Sequence, residues 1–175
     1  GEVDVERRDG GRRTLRIITL GGSSGLRMSI VFDPVEQIRK GLDDLGLLEA
    51  QRRELDELIQ EGAGAVLVSA PPQNGRTTTL YALVRSHDAY TTNVQTVELE
   101  PEDQIEGVRH NIFDPMSENA EYSTLVRSIL RRDPDVVAVA ELPDAATASE
   151  IARADHERTR TYVGLKADSA LASIQ

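Results

Sequence analysis

The chain has 175 residues, 39% of them hydrophobic, which suffices for one domain with a proper core and argues against wholesale disorder. Asp and Glu total 30 against 20 Lys and Arg, a formal net charge of -10 that disfavours a duplex-binding surface and so predicts no nucleic-acid partner. There is no cysteine for a disulfide or thiolate metal site, and no apolar run is long enough to span a membrane.

With no signal-peptide pattern at its start, the chain reads as soluble and cytosolic. His87, His110 and His156 are scattered without ligand spacing and read as ordinary polar surface positions.

In chain order, "EVDVERR" and "RRTLRII" flank Asp9-Gly10-Gly11, a hairpin turn, and "GGSSG" (21–25) separates "TLRIITL" from "LRMSIVF". The pattern predicts a small antiparallel meander over residues 1–34, ended by Pro34, and a linker over 35–46. Residues 35–62 have helical period, with Leu47, Leu48, Leu55, Leu58 and Ile59 on one face and Gly62 and Gly64 closing the segment. From Gly64 onward strands and helices alternate: "AVLVSA", "NVQTVEL" (93–99), "DVVAVAE" (135–141) and "RTYVGL" (160–165) are strands. "EYSTLVRSILRR" (121–132) and "DAATASEIARA" (144–154) are helices, as is the segment carrying Leu80, Leu83 and Val84. Continuous apolar strands separated by helices predict an α/β fold with a mainly parallel sheet over residues 47–175. The three strands before Arg76, Glu98 and Glu141 are expected side by side, and "ADSALASIQ" reads as the start of a further helix in a truncated domain.

The stretch "SAPPQNGRTTTLYALV" (69–84) follows the first apolar strand and approximates the phosphate loop G-x-x-x-x-G-K-[ST]. In that loop glycines let backbone N–H groups approach phosphate, the Lys reaches the β/γ oxygens and the hydroxyl holds Mg²⁺. Ala70 stands at the first glycine, Gly75 keeps the second, Arg76 replaces the Lys and Thr77 keeps the hydroxyl. Gly75, Arg76, Thr77 and Thr78 are therefore the candidate nucleotide contacts, with Thr77 the Mg²⁺ ligand if nucleotide binds. Glu98 and Glu141 end two of the strands, where a carboxylate holds metal or orients water. Singly, each also fits an acid at a solvated strand end.

Taken together, "RTTTLYAL" (76–83), "TVELEPEDQIEG" (96–107) and "LVRSILRRDPDVVAVAELPD" (125–144) resemble the motor ATPases of type II secretion and type IV pilus assembly. The resemblance runs from about Thr14 to Ile174. It implies a RecA-like P-loop core, a meander from the end of a small N-terminal α/β domain, and ATP and Mg²⁺ as cofactors if the loop still binds them. It also implies a ring with other family members, and a cytoplasmic position on the inner membrane through platform proteins of the secretion or pilus machinery.

The departures from the family cluster at the nucleotide site. The family's G-P-T-G-S-G-K-T has become Ala70-Pro71-Pro72-Gln73-Asn74-Gly75-Arg76-Thr77, losing two glycines, the lysine and, at Pro72, an N–H. Leu99 replaces an Asp beside Glu98, while Glu102 persists. Ala140 and Pro143 replace Gly and Arg around Glu141, Thr159 and Lys166 replace histidines, and Val31 stands where an arginine faces the phosphates. These losses predict a degenerate motor domain that does not hydrolyse ATP and acts in assembly or regulation. The alternatives are a working ATPase in which Arg76 substitutes for the lysine, with Glu98 and Glu141 handling water and Mg²⁺, and an unrelated nucleotide-binding or phosphate-transfer module.

Overall fold

The valine-rich segments Val94–Glu98 (β5) and Val136–Val139 (β7) are buried along their whole length, the condition of strands covered on both faces. In a computed structural model, which describes residues 1–6, 12–22, 25–32, 38–169 and 172, they form the middle of a five-stranded parallel sheet. Its other strands are Gly64–Ala70 (β4), Arg109–Ile112 (β6) and Arg160–Lys166 (β8), in the order β4-β8-β7-β5-β6. The strands before Glu98 and Glu141 are thus neighbours, but β8 stands between β7 and the strand before the loop. That corrects the expected side-by-side arrangement. Strand β6, four residues with two intermediate positions, is an addition that its polar "RHNI" did not signal.

Alternation along β7 sends side chains to opposite faces. Val136, Ala138 and Ala140 pack with Leu80, Leu83 and Val84 of helix α2 (Arg76–Arg85). Val137 and Val139 pack with Val126 and Ile129 of helix α3 (Tyr122–Leu130) and Ile151 of helix α4 (Ala145–Ala152). The apolar stripe of α3 is as expected from its period. Asp133 ends that region with φ of 48°, and Asp144 caps α4 by accepting from the Thr147 N–H at 2.7 Å.

Ahead of this core, Glu2–Glu6 (β1), Arg12–Gly22 (β2) and Gly25–Phe32 (β3) form the expected antiparallel meander. The turn at Asp9-Gly10-Gly11, Pro34 and most of the C-terminal "ADSALASIQ" lie outside the described residues. Among the described residues the segment 35–62 is not one continuous helix. Helix α1 covers only Glu49–Gln60, preceded by a 3-10 turn at Leu42–Leu45 and by Gly46 in the left-handed region at φ of 72°. Leu55 and Ile59 face the core, whereas Leu47 and Leu48 are exposed and precede the helix. Within the segment read as a linker, Ile38 and Leu42 are buried, and Leu42 belongs to the core beside α2.

Candidate phosphate-binding site

Strand β4 delivers the chain to Ala70, and after a five-residue loop α2 begins at Arg76. Gly75 makes the transition with φ of 79°, a left-handed conformation open to glycine without strain. Helix α2 has no side-chain cap, so the N–H groups of its first turn are free to meet an anion. The loop before it is a turn closed on itself. The Asn74 N–H donates to the Pro71 carbonyl at 3.3 Å, and the Asn74 side-chain amide donates to the Pro72 carbonyl at 3.0 Å. With Pro71 and Pro72 lacking N–H and that of Asn74 occupied, Gln73 and Gly75 supply the loop's remaining backbone donors. Gln73 itself sits at φ of 63°.

A cavity of about 680 Å³ lies between this loop and the meander. Gly75, Arg76, Thr77, Thr78 and Lys166 line its core side, while Arg16 and Val31 line the other. The sequence-predicted contacts are therefore brought together. Lys166 reaches the cavity because β8 runs parallel to β4 with Lys166 paired to Ala70. Arg16 escaped the sequence reading. It is the cross-strand partner of Val31, so a cation stands one strand away from the position read as having lost one. Its Nε donates to Glu2 at 3.0 Å and its Nη1 to Glu102 at 2.8 Å. Thr159, by contrast, is buried away from the cavity with its hydroxyl donating to the Pro134 carbonyl at 2.9 Å.

Neither predicted carboxylate lines the cavity. Glu98 is buried and fully engaged: Tyr81 and Thr96 donate their hydroxyls to it, and His110 Nδ1 lies 2.8 Å from Oε1. Burial alone would raise its pKa, but the bonds from His110, Thr96 and Tyr81 outweigh it and hold the carboxyl below the ordinary value. Burial, joined by the same carboxylate, pushes the Tyr81 hydroxyl upward. Glu141 lines a separate cavity of about 410 Å³ with Leu99, Phe113 and Tyr122, and Tyr122 donates to it at 3.2 Å. Burial raises the Glu141 pKa; Tyr122, the Leu99 N–H and the charge of Arg76 offset only part of that.

Two of the histidines are not surface groups. His110 lies against Glu98, and His87 Nε2 is 2.8 Å from the Tyr162 hydroxyl, its pKa lowered by burial and by Arg160. Among the described residues no cluster of three or more His, Asp or Glu is arranged to hold a metal. The signal for the Glu98 cluster was a tyrosine inside a buried helix, whose hydroxyl requires a partner.

The family profile described as "Type II/IV secretion system protein" matches residues 4–175, nearly the whole chain. The chain belongs to that family. It is 34% identical over 168 residues to the type II secretion system protein E of Dickeya dadantii, covering 95% of this chain and 34% of the relative. The protein E of Pseudomonas aeruginosa is 32% identical over 171 residues, covering 97% of this chain and 34% of the relative. The chain thus spans about a third of the length of these curated relatives. Among solved structures, the pilus retraction motor PilT with bound ADP superposes with a TM-score of 0.64 at 21% identity, over 99% of this chain and 49% of that one. The parallel sheet, the strand–loop–helix at Gly75 and the meander are therefore the secretion-ATPase fold, as the sequence motifs implied. No helix of the described residues is long and apolar enough to cross a membrane.

Proposed function

We propose that this chain comes from a motor-ATPase-family subunit of a type II secretion or type IV pilus-like system whose nucleotide site is degenerate. It binds nucleotide weakly, does not turn it over, and serves assembly or regulation. The observation that carries this reading is the split between the cavity and the two strand-end acids, Glu98 and Glu141. The cavity has cations and an uncapped helix, whereas Glu98 is tied to three donors elsewhere.

The residues present fit the phosphates of a nucleotide in part. Arg16, Arg76 and Lys166 supply positive charge, and the first turn of α2 supplies N–H groups. Thr77 offers the hydroxyl that would hold Mg²⁺, which when bound would neutralise phosphate charge. The turn built by Pro71, Pro72 and Asn74 leaves fewer donors than a glycine-rich loop, which limits affinity. Turnover needs a carboxylate or polar group to position water, and each missing transition-state contact costs about 3 kcal/mol. PilT, in its ADP-bound structure, shares this fold, which supports a nucleotide as the ligand class.

The partners that follow from this reading are inner-membrane platform proteins and a ring of family members, with the subunit cytoplasmic and peripheral to the membrane. The test is an equilibrium titration with ATP and Mg²⁺ alongside phosphate-release kinetics. We expect a Kd no tighter than roughly millimolar, about -4 kcal/mol, and no turnover. Replacing the loop (Ala70→Gly, Pro72→Thr, Gln73→Gly, Asn74→Ser, Arg76→Lys) should tighten binding without creating hydrolysis. Micromolar ATP binding by the unmodified chain, or steady turnover, overturns the proposal in favour of a working ATPase.

A further inference from the structure

Arg16, on β2 of the meander, and Glu102, on the loop after β5, both line the cavity and are bonded to each other at 2.8 Å. Arg16 presents two edges. Nε stays within the meander, donating to Glu2 on the neighbouring strand, while Nη1 reaches across to Glu102 on the loop after β5. Next along that loop, Asp103 is held differently. It receives Arg85 at 2.9 Å and Arg39 at 3.1 Å, its side chain is only 9% exposed, and it does not line the cavity. The Glu102 side chain is 40% exposed. One acid is thus buried between two arginines, and its neighbour is more exposed and bonded to one. The Glu102 N–H, donating to the Tyr81 hydroxyl at 3.1 Å, keeps the backbone in place whichever way the carboxylate turns.

We infer that Glu102 is an internal anion that occupies Arg16 when the cavity is empty, so that a phosphate-bearing ligand must displace it to reach that guanidinium. The inference rests on the reading of the cavity as a nucleotide-phosphate site. Carboxylate and phosphate oxygens compete for the same Arg donors, and both satisfy the planar fork. A ligand phosphate near Arg76 and Lys166 would also repel Glu102 across the cavity, so exchange and binding are one event. The Glu2 contact keeps Arg16 oriented during the exchange, and Asp103 keeps the loop attached to α2. Glu102 therefore sets a threshold for ligand entry without touching the ligand.

The experiment titrates Mg-ATP into the 175-residue chain and its variants, followed by amide NMR shifts that read millimolar affinities. Glu102→Gln should tighten binding roughly three- to fivefold, the scale of a partly exposed ion pair. Arg16→Gln should weaken it, and the double variant should match Arg16→Gln, because without the guanidinium Glu102 has nothing to withhold. Asp103→Asn should leave the affinity unchanged. A gain from Glu102→Gln that persists in the Arg16→Gln background assigns the effect to the general field of the cavity and overturns the inference. So does an equal gain in Asp103→Asn, which assigns it to a loosened loop. Equal binding by the unmodified chain and Glu102→Gln overturns the inference while the nucleotide reading stands. Binding by none of them overturns both.

Discussion

Replacing Tyr81 by Phe removes one oxygen from the centre of the Glu98 cluster and leaves the ring's packing intact. Tyr81 is 1% exposed, donates to Glu98 and accepts from the Glu102 N–H. The variant loses a hydrogen bond to a buried charge and strands a backbone donor. With hydrogen bonds to charged groups near 1.5–3 kcal/mol, we expect a loss of about 2 to 3 kcal/mol at pH 7. That is a large fraction of the roughly 5–15 kcal/mol that holds a domain folded. The pH dependence carries the mechanism. Glu98 sits below its ordinary pKa in the fold, so its stabilisation is complete above the unfolded carboxylate value and is lost as pH falls through the depressed folded one. The variant has one donor fewer, a less depressed Glu98, and so a smaller loss on acidification. The two stability curves should converge towards low pH, where the hydroxyl faces a neutral acid and the difference falls to about 1 kcal/mol. Urea unfolding at a series of pH values from 7 to 3 measures this. A difference under about 0.5 kcal/mol at pH 7, or one that stays constant with pH, refutes the account of Glu98 as a charged group held by donors.

Two other substitutions test the structure around the site. A Cβ added at Gly164 would stand 2.3 Å from the Ala140 carbonyl oxygen, a backbone atom that cannot rotate away, so Gly164→Ala must push β8 from β7. The expected cost is about 3 kcal/mol or more, read as a lowered urea midpoint; an unchanged midpoint contradicts the β7–β8 packing. Glu141 binds its proton more tightly in the fold than in the unfolded chain, so its ionisation opposes folding as pH rises past the ordinary carboxylate value. Glu141→Gln should therefore raise the thermal midpoint at pH 8 and lose that advantage at pH 4, and a lowered midpoint at pH 8 counts against the burial argument.

The core strands were legible because β-branched runs bounded by turn residues read as strands: "VVAV" is apolar throughout, and "VQTV" sets two valines about a short polar pair. Their order was not, because β8 enters between β4 and β7 through pairings about a hundred residues apart, such as Val66 with Tyr162, that no local pattern encodes. Strand β6 is short and polar at an edge, so it lacks the signal its neighbours carry. Between 35 and 62, leucine spacing alone could not show that Gly46 breaks the backbone and divides a turn from a helix. At the site, the loop residues were legible one by one, since a phosphate loop is contiguous in sequence. Glu98 was visible as a strand-end acid, but its partners Tyr81 and His110 lie 17 and 12 residues away on other elements. Their arrival makes it part of a buried network and removes it from the cavity. Arg16 was hidden for the same reason: only the register of β2 on β3 puts it opposite Val31.

The packing also shows why the fold is insensitive to what stands in the loop. Both hydrophobic clusters draw on the middle of the strands and the inner faces of α2, α3 and α4, and neither contains Gly75, Arg76, Thr77 or Thr78. Ala70, Pro72 and Arg76 stand at the strand end, in the loop and at the first helical position, where a side-chain change alters donors and charge but removes no buried apolar contact. Stability and ligand chemistry therefore occupy different residues of the same strand–loop–helix. The sheet order, the two clusters and the meander can therefore persist while residues of the loop change. For this reason the fold carries little weight in deciding whether nucleotide is hydrolysed. The decision rests on the few side chains that border the cavity, and there the cations are present while Glu98 and Glu141 are turned to other partners.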